Sequence, residues 1–214
     1  MTKFQLVTKY QFKRVTATLQ SMKKINEIFY SIQGEGRNAG RAAVFVRFSG
    51  CNIKCPFCDT KHQKGKEMSD LEIINQIEQY PCHFVILTGG EPTLYIDADF
   101  VDKLHHKGYE VAIETNGTNI VPANVDFVTL SPKFEFVKNS NIKQLVCDEL
   151  KVIFNSVNNM DAYNVIIAKY KYIQPCDTGD DDTNQMHIVN AIKFVQNNPD
   201  WRLSLQLQKI LSIR

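Results

Sequence analysis

The sequence has no long apolar run, no strong excess of charge and no second CxxC pair. No stretch approaches the roughly 18 consecutive apolar residues of a membrane span. The opening residues, MTKFQLVTKYQFKRVTATLQ, hold no apolar core of a signal peptide. Basic side chains number 25 and acidic ones 23, so the net charge is +2. That balance gives no electrostatic reason to expect a nucleic-acid partner. The expectation is a cytoplasmic protein with neither membrane nor nucleic acid as partner. Disulfides are rare in that compartment, so clustered cysteines there point to a metal or redox site.

No linker or low-complexity tract divides the 214 residues, a length that suits one domain with a sizeable core. The first 21 residues stand apart. They are basic and lack an apolar period, whereas MKKINEIFYSIQGEG from Met22 reads like a natural start. Residues 1–21 are therefore expected to be a disordered N-terminal extension, with an extra edge strand as the alternative, and 22–214 the domain.

From residue 42 onward, apolar runs and helical patterns largely alternate. Strands are expected in AAVFVRFSG (42–50), HFVILTGGEP (83–92), YEVAIETNG (109–117), VDFVTLSPK (125–133), LKVIFN (150–155), YKYIQPCD (170–177) and WRLSLQLQK (201–209). Helices are expected in SDLEIINQIEQY (69–80), DADFVDKLHHKG (97–108), NIKQLVCDE, MDAYNVIIA and TNQMHIVNAIKFVQNN (183–198). Ser69 and Glu72 form a capping-box pattern, with Leu71, Ile74 and Ile77 on one face. Alternation at about 25 residues per unit implies parallel βαβ units, and continuous apolar strands imply that both faces are covered. About six units fall short of an eightfold barrel, which leaves a partial barrel or an open doubly wound sheet.

Nearly every polar or glycine-rich cluster follows a strand: SGCNIKCPFCDT, TGGEPT, ETNGT, SPK and QPCD. In a parallel α/β fold the carboxyl ends of the strands share one face, where such folds carry their chemistry. These segments are expected to converge there. The fold expected is a single α/β domain, a partial TIM-type barrel of about six βα units around a parallel sheet.

Cys51, Cys55 and Cys58 have the spacing C-x3-C-x2-C. Structural zinc takes four ligands, normally as two pairs, and the pair is missing. A thioredoxin-like CxxC would not need Cys51. Three thiolates suit a 4Fe–4S cluster whose fourth iron is left for a small molecule. With Phe57 before the last cysteine and GGEP downstream, the pattern resembles the radical S-adenosylmethionine (SAM) superfamily. A zinc-binding module is the structural alternative.

The segment INEIFYSIQGEGRNAGRAAVFVRFSGC resembles one family of that superfamily, 7-carboxy-7-deazaguanine synthase of the queuosine pathway. The likeness extends over residues 24–211 through SIQGEG, CDT, TGGEP, ETNGT, SPK, QP and a late LQ-x-QK, with Gln208 where histidine is common. It implies one 4Fe–4S cluster per subunit on Cys51, Cys55 and Cys58, with SAM and Mg2+ as further cofactors. It implies SAM contacts from Phe57, Cys58, Asp59, Gly90, Glu114, Ser131, Pro132, Lys133, Gln174, Pro175, Cys176 and Asp177. Gly89, Gly90 and Glu91 match the superfamily motif that lines the amino group of SAM. Substrate contacts are implied for Ile32, Gln33, Gly34, Glu35, Arg47 and Thr88. Arg47 would pair with a substrate carboxylate through its planar fork. Thr60 would ligate magnesium, with further oxygens from the substrate.

The implied reaction converts 6-carboxy-5,6,7,8-tetrahydropterin to 7-carboxy-7-deazaguanine. A radical derived from SAM removes hydrogen, the ring contracts, ammonia leaves and SAM is regenerated. A flavodoxin or ferredoxin donor and a homodimer are implied with it. A glycyl-radical-enzyme activase and a non-catalytic iron–sulfur electron carrier are the alternatives. On the residues alone, Glu35 between two glycines is equally a solvated turn residue. Glu114, after an apolar strand, must find a partner, either a ribose hydroxyl or a neighbouring lysine.

Overall fold

A computed structural model describes residues 22–58, 60 and 64–213. The expected extension, residues 1–21, lies outside the described residues, as does Asp59.

One sheet of nine strands runs through the described residues. Seven strands are parallel, in the order β2 (Ala42–Phe48), β4 (Phe84–Gly89), β5 (Glu110–Thr115), β6 (Phe127–Leu130), β7 (Val146–Phe154), β8 (Ile167–Pro175) and β9 (Trp201–Leu203). At the other edge β1 (Lys23–Ile32) pairs antiparallel with β2, and β3 (Lys66–Met68) antiparallel with β1. After β9 the chain returns to the far edge, where the Leu207 amide donates to the Gly34 carbonyl at 3.1 Å. The two ends of the sheet therefore approach each other, and the sheet is a partial barrel.

The continuous apolar strands are explained by their two destinations. Val44, Val46, Phe48, Val85, Leu87, Val111 and Ile113 face outward into one core with the helices. The alternate residues Phe29, Ala43, Phe45, Phe84, Ile86 and Ala112 fill the base of the interior. Strand parity carries that inward face upward, because side chains alternate along a strand. Arg47 follows Phe45, Thr88 follows Ile86, and Glu114 follows Ala112. On β7, Leu150, Val152 and Phe154 point into the outer core, which leaves Glu149 and Lys151 inside. The barrel is thus apolar at its base and polar at the carboxyl ends.

Helix α1 (Asp70–Ile77) begins with the expected capping box. The Glu72 amide donates to Ser69 Oγ at 3.3 Å, and the Ser69 amide to Glu72 Oε2 at 2.7 Å. Its buried apolar face is Ile73, Ile74 and Ile77, whereas Leu71 is exposed. Replacing Ser69 with alanine is expected to cost about 1 kcal/mol, read from urea unfolding, because the Glu72 amide loses its cap. Helix α2 (Ala98–His106) is capped by Asp97 and α3 (Asp181–Asn197) by Asp180.

Two predicted helices are absent. The segment NIKQLVCDE carries no helix, and its second half opens the nine-residue β7. MDAYNVIIA forms one 3-10 turn, Met160–Tyr163, and then enters β8. In both cases β-branched residues pair across a long parallel register from Val146–Ile167 to Phe154–Pro175, and this tertiary pairing overrides local helix preference. The last predicted strand stops at Leu203, and a short helix α4 (Leu207–Ile210) replaces its end.

Candidate active site

A cavity of about 280 Å³ opens at the carboxyl ends of the strands. It gathers residues from every motif named above: Ile32, Gln33, Gly34, Glu35, Arg47, Phe57, Thr60, Thr88, Gly90, Glu114, Ser131, Lys133, Gln174, Pro175, Cys176 and Asp177, with all three loop cysteines. Of the expected residues that are described, Pro132 and Glu91 are not among its lining.

The cysteine loop follows β2 directly and is seated on the GGEP turn after β4. The Gly90 amide donates to the Phe48 carbonyl at 3.0 Å, and the Glu91 amide to the Gly50 carbonyl at 2.9 Å. Glu91 does not line the cavity, contrary to the motif-based expectation. It is fully buried and accepts from the Thr93 amide (3.1 Å) and hydroxyl (2.6 Å), Thr115 Oγ1 (2.7 Å) and the Asn116 amide (2.8 Å). Those four bonds tie the turn after β4 to the end of β5. Asn116, assigned no role from sequence, then reaches the cysteine loop, donating to Asn52 Oδ1 at 3.1 Å and approaching Cys51 Sγ at 3.9 Å.

The residues present fit an iron–sulfur cluster. Burial raises the Cys51 and Cys55 thiol pKa values, and neighbouring loop cysteines raise them further, so the protein alone does not stabilise these two as thiolates. A metal's positive charge reverses that logic. Among the described residues, no three His, Cys, Asp or Glu side chains converge on a point where one ion would sit. A cubane needs no such point, since each cysteine binds a different iron corner. Magnesium is another matter. Thr60 supplies one hydroxyl, and Arg47 Nη1 donates to it at 3.3 Å, so the described residues do not by themselves build a magnesium cage.

Beside the loop, Lys133 Nζ donates to the Ser131 carbonyl and hydroxyl, both at 2.6 Å. Burial lowers its pKa to about 8, against a small upward pull from Cys55. Phe57 packs edge-on against Phe136, 4.7 Å between centroids. Cys176 is buried; its carbonyl contacts His187 Nδ1 at 3.0 Å and its amide donates to Phe154, consistent with a backbone role. Asp177 binds Lys209 at 2.5 Å and accepts from Gly179 and Asn184, and these bonds hold its pKa at about 2. Gln174 Oε1 accepts from Ser204 Oγ at 2.9 Å, and that hydroxyl accepts from the Gly36 amide at 3.0 Å.

The other half of the cavity is a polar floor. Glu114 accepts from Gln33 Nε2 at 3.0 Å and from Thr88 Oγ1 at 2.7 Å, and lies 3.7 Å from Lys151 Nζ. Its contacts are thus with the residues expected to hold substrate, not with the Ser131–Lys133 side. Glu35 is no solvated turn residue: it pairs with Lys151 and accepts from Gln206 (3.1 Å) and Gln208 (2.8 Å). Arg47 bonds Glu27 at 2.9 Å on the floor's edge. Lys151 is the charged residue of the cavity wall that sequence reasoning missed. Its signal was faint, one cation inside the apolar run of β7, and only the parity of that strand shows that it points inward.

A pattern described as the radical SAM superfamily matches residues 45–133, from within β2 through the cysteine loop to Lys133. A 7-carboxy-7-deazaguanine synthase from Bacteroides thetaiotaomicron is 46% identical over 90% of this chain and 100% of its own length. This chain belongs to the 7-carboxy-7-deazaguanine synthase family. A synthase from Haemophilus influenzae is 34% identical, covering 88% of this chain and 93% of its own. The crystal structure of QueE from Escherichia coli superposes with a TM-score of 0.71 at 26% identity, covering 86% of this chain and 94% of that one. As a radical SAM enzyme of this family, the chain requires a 4Fe–4S cluster and SAM, which accords with three sulfurs at the mouth of a strand-end cavity. No helix among the described residues is long and apolar enough to cross a membrane.

Proposed function

We propose that this protein converts 6-carboxy-5,6,7,8-tetrahydropterin to 7-carboxy-7-deazaguanine with release of ammonia, as a carbon–nitrogen lyase of queuosine and related 7-deazapurine biosynthesis. The observation that carries the reading is one cavity with two unlike halves. A three-cysteine loop beside Lys133, Ser131 and Gln174 forms one half, and a floor of carboxylate acceptors edged by an arginine forms the other.

When bound, the cluster and SAM supply one-electron chemistry; the chain itself supplies placement. Cys51, Cys55 and Cys58 are assigned to the irons. Lys133 offers a partly buried cation to the SAM carboxylate, and Phe57, Gly90, Ser131 and Gln174–Asp177 frame the rest of that ligand, with Asp59 and Pro132 assigned to it by the family resemblance. Glu114, with Gln33 and Thr88, is read with the substrate. Buried carboxylate oxygens favour N–H donors, and the aminopyrimidinone edge of a pterin presents several side by side. Ile32, Gly34 and Glu35 close that side. Arg47 takes the substrate carboxylate, which competes with Glu27 for the guanidinium. Phe29, Phe45 and Ile153 contribute apolar wall that keeps water from the ring. Thr60 is the one protein oxygen assigned to magnesium, with the remaining oxygens coming from bound ligand.

The test is an anaerobic assay of the reconstituted protein with dithionite, SAM, Mg2+ and 6-carboxytetrahydropterin, read by mass spectrometry. The expected result is 7-carboxy-7-deazaguanine without stoichiometric methionine. SAM cleavage without deazaguanine would move the reading to a glycyl-radical-enzyme activase. No SAM cleavage from a cluster-loaded protein would leave an electron carrier.

A further inference from the structure

Lys151 occupies a place that the reaction as read above does not use. It rises from the inward face of β7, yet its ammonium meets Glu35 from the β1–β2 loop and Glu114 from β5, with β6 lying between β5 and β7 in the sheet. It therefore spans the barrel interior. Its side chain is 7% exposed, against 14% for Glu35 and 25% for Glu114. Glu149, two residues earlier on the same inward face, and Lys133, after β6, are the other charged groups that face it.

We propose that Lys151 is a positioning residue for substrate: it holds Glu35 and Glu114 together as ionised acceptors, so that the floor reads the N–H edge of a neutral ring. This deepens the pterin reading and rests on it. Without the ammonium, three carboxylates (Glu35, Glu114 and Glu149) would share a mostly buried floor. Like charges so placed cannot all stay ionised near neutral pH, and one takes up a proton. A protonated carboxyl no longer offers both oxygens to ring N–H groups. In the native floor, burial pushes the Glu35 carboxyl up, but charge and hydrogen bonding from Lys151, with the amides of Gln208 and Gln206, bring it down to about 2. Its acceptor state is therefore constant through the neutral range.

The experiment measures the affinity of the full, cluster-loaded chain for 7-carboxy-7-deazaguanine, which carries the same aminopyrimidinone edge, by calorimetry from pH 5.5 to 8.5. Wild type is expected to change by less than about twofold over that range. Lys151→Met is expected to bind at least about tenfold more weakly at pH 6 than at pH 8.5, as a floor carboxyl titrates. Lys151→Arg is expected to restore the flat profile, and adding Glu35→Gln to Lys151→Met is expected to flatten it by removing one of the competing charges. A flat profile in Lys151→Met, with the fold intact, would overturn the proposal and leave Lys151 a structural ion pair. If Lys151→Met does not fold, carboxyl carbon NMR of wild type decides, with the Glu35 signal assigned through Glu35→Gln. The proposal stands if Glu35 is still ionised at pH 4.5 and falls if its midpoint lies above about 5. Should wild type bind no deazaguanine at any pH, the pterin reading fails, and the NMR result alone decides whether Lys151 holds Glu35 charged.

Discussion

Replacing Gly90 with alanine is expected to lower SAM cleavage at least about a hundredfold and to strip most of the iron from the reconstituted protein. A Cβ at this position would lie 1.8 Å from the Gly50 carbonyl oxygen, 2.5 Å from its carbon and 3.2 Å from the Cys51 amide nitrogen. All three are backbone atoms, so no flexible side chain can swing away. The Gly50 carbonyl is also the acceptor for the Glu91 amide, and Glu91 is fixed by four further bonds. The cysteine loop therefore has to yield, and Cys51 moves with it. A control at Gly40 separates this from general strain. Gly40 has φ +85° and nothing within 4 Å of a Cβ, so alanine there costs about 1 kcal/mol in stability through its backbone and leaves iron content unchanged. Iron and sulfide analysis of both variants decides: a Gly90→Ala protein that loads iron normally would show that the turn does not position the loop.

The route from sequence to site was short wherever chemistry followed a strand. The strand-end clusters converge because a parallel sheet puts all its carboxyl ends on one face, and the chain order of the motifs makes that visible without coordinates. What stayed hidden depended on which side of a strand a residue faces. Glu91 and Gly90 are neighbours in GGEP, yet Gly90 lines the cavity while Glu91 turns away and ties β4 to β5. Lys151 looked like an interruption in an apolar strand until the parity of Leu150 and Val152 placed it inside. Gln206 and Gln208 seemed to belong to a last strand, but the chain leaves β9 at Leu203 and folds back over Gly34, which brings both amides to Glu35. The missed helices have a related cause. NIKQLVCDE and MDAYNVIIA carry weak helical periods, and their fate is set by partners elsewhere in the sheet. With the β5–β6 connection, for which no helix was expected, three of the six crossovers between parallel strands carry no α-helix.

Asp70→Ala is expected to destabilise the fold by about 3 kcal/mol or more at pH 7, the scale for removing one partner of a buried ion pair. Lys23 opens β1 and Asp70 opens α1; their side chains are 1% and 5% exposed and meet at 2.5 Å. Lys103 of α2 reaches the other Asp70 oxygen at 2.8 Å, so one carboxylate joins the antiparallel edge of the sheet to the two helices that cover it. Removing Asp70 leaves a buried ammonium without its carboxylate, whereas Lys23→Met leaves Asp70 still paired with Lys103. The second change is therefore expected to cost less than half as much as the first. Acidity supplies an independent check. Burial pushes the Asp70 carboxyl up, but hydrogen bonds and charge from Lys103 and Lys23 outweigh it and leave its pKa below the ordinary aspartate value. A folded-state pKa lowered in this way adds stability above the unfolded carboxyl pKa of about 3.9, and that contribution is lost as pH falls through the folded value. Urea unfolding of wild type and Asp70→Ala should accordingly show the full difference at pH 7 and a narrowing difference below about pH 4. A gap that stays constant into acid would mean that Asp70 acts through packing at the start of α1 and not through its charge.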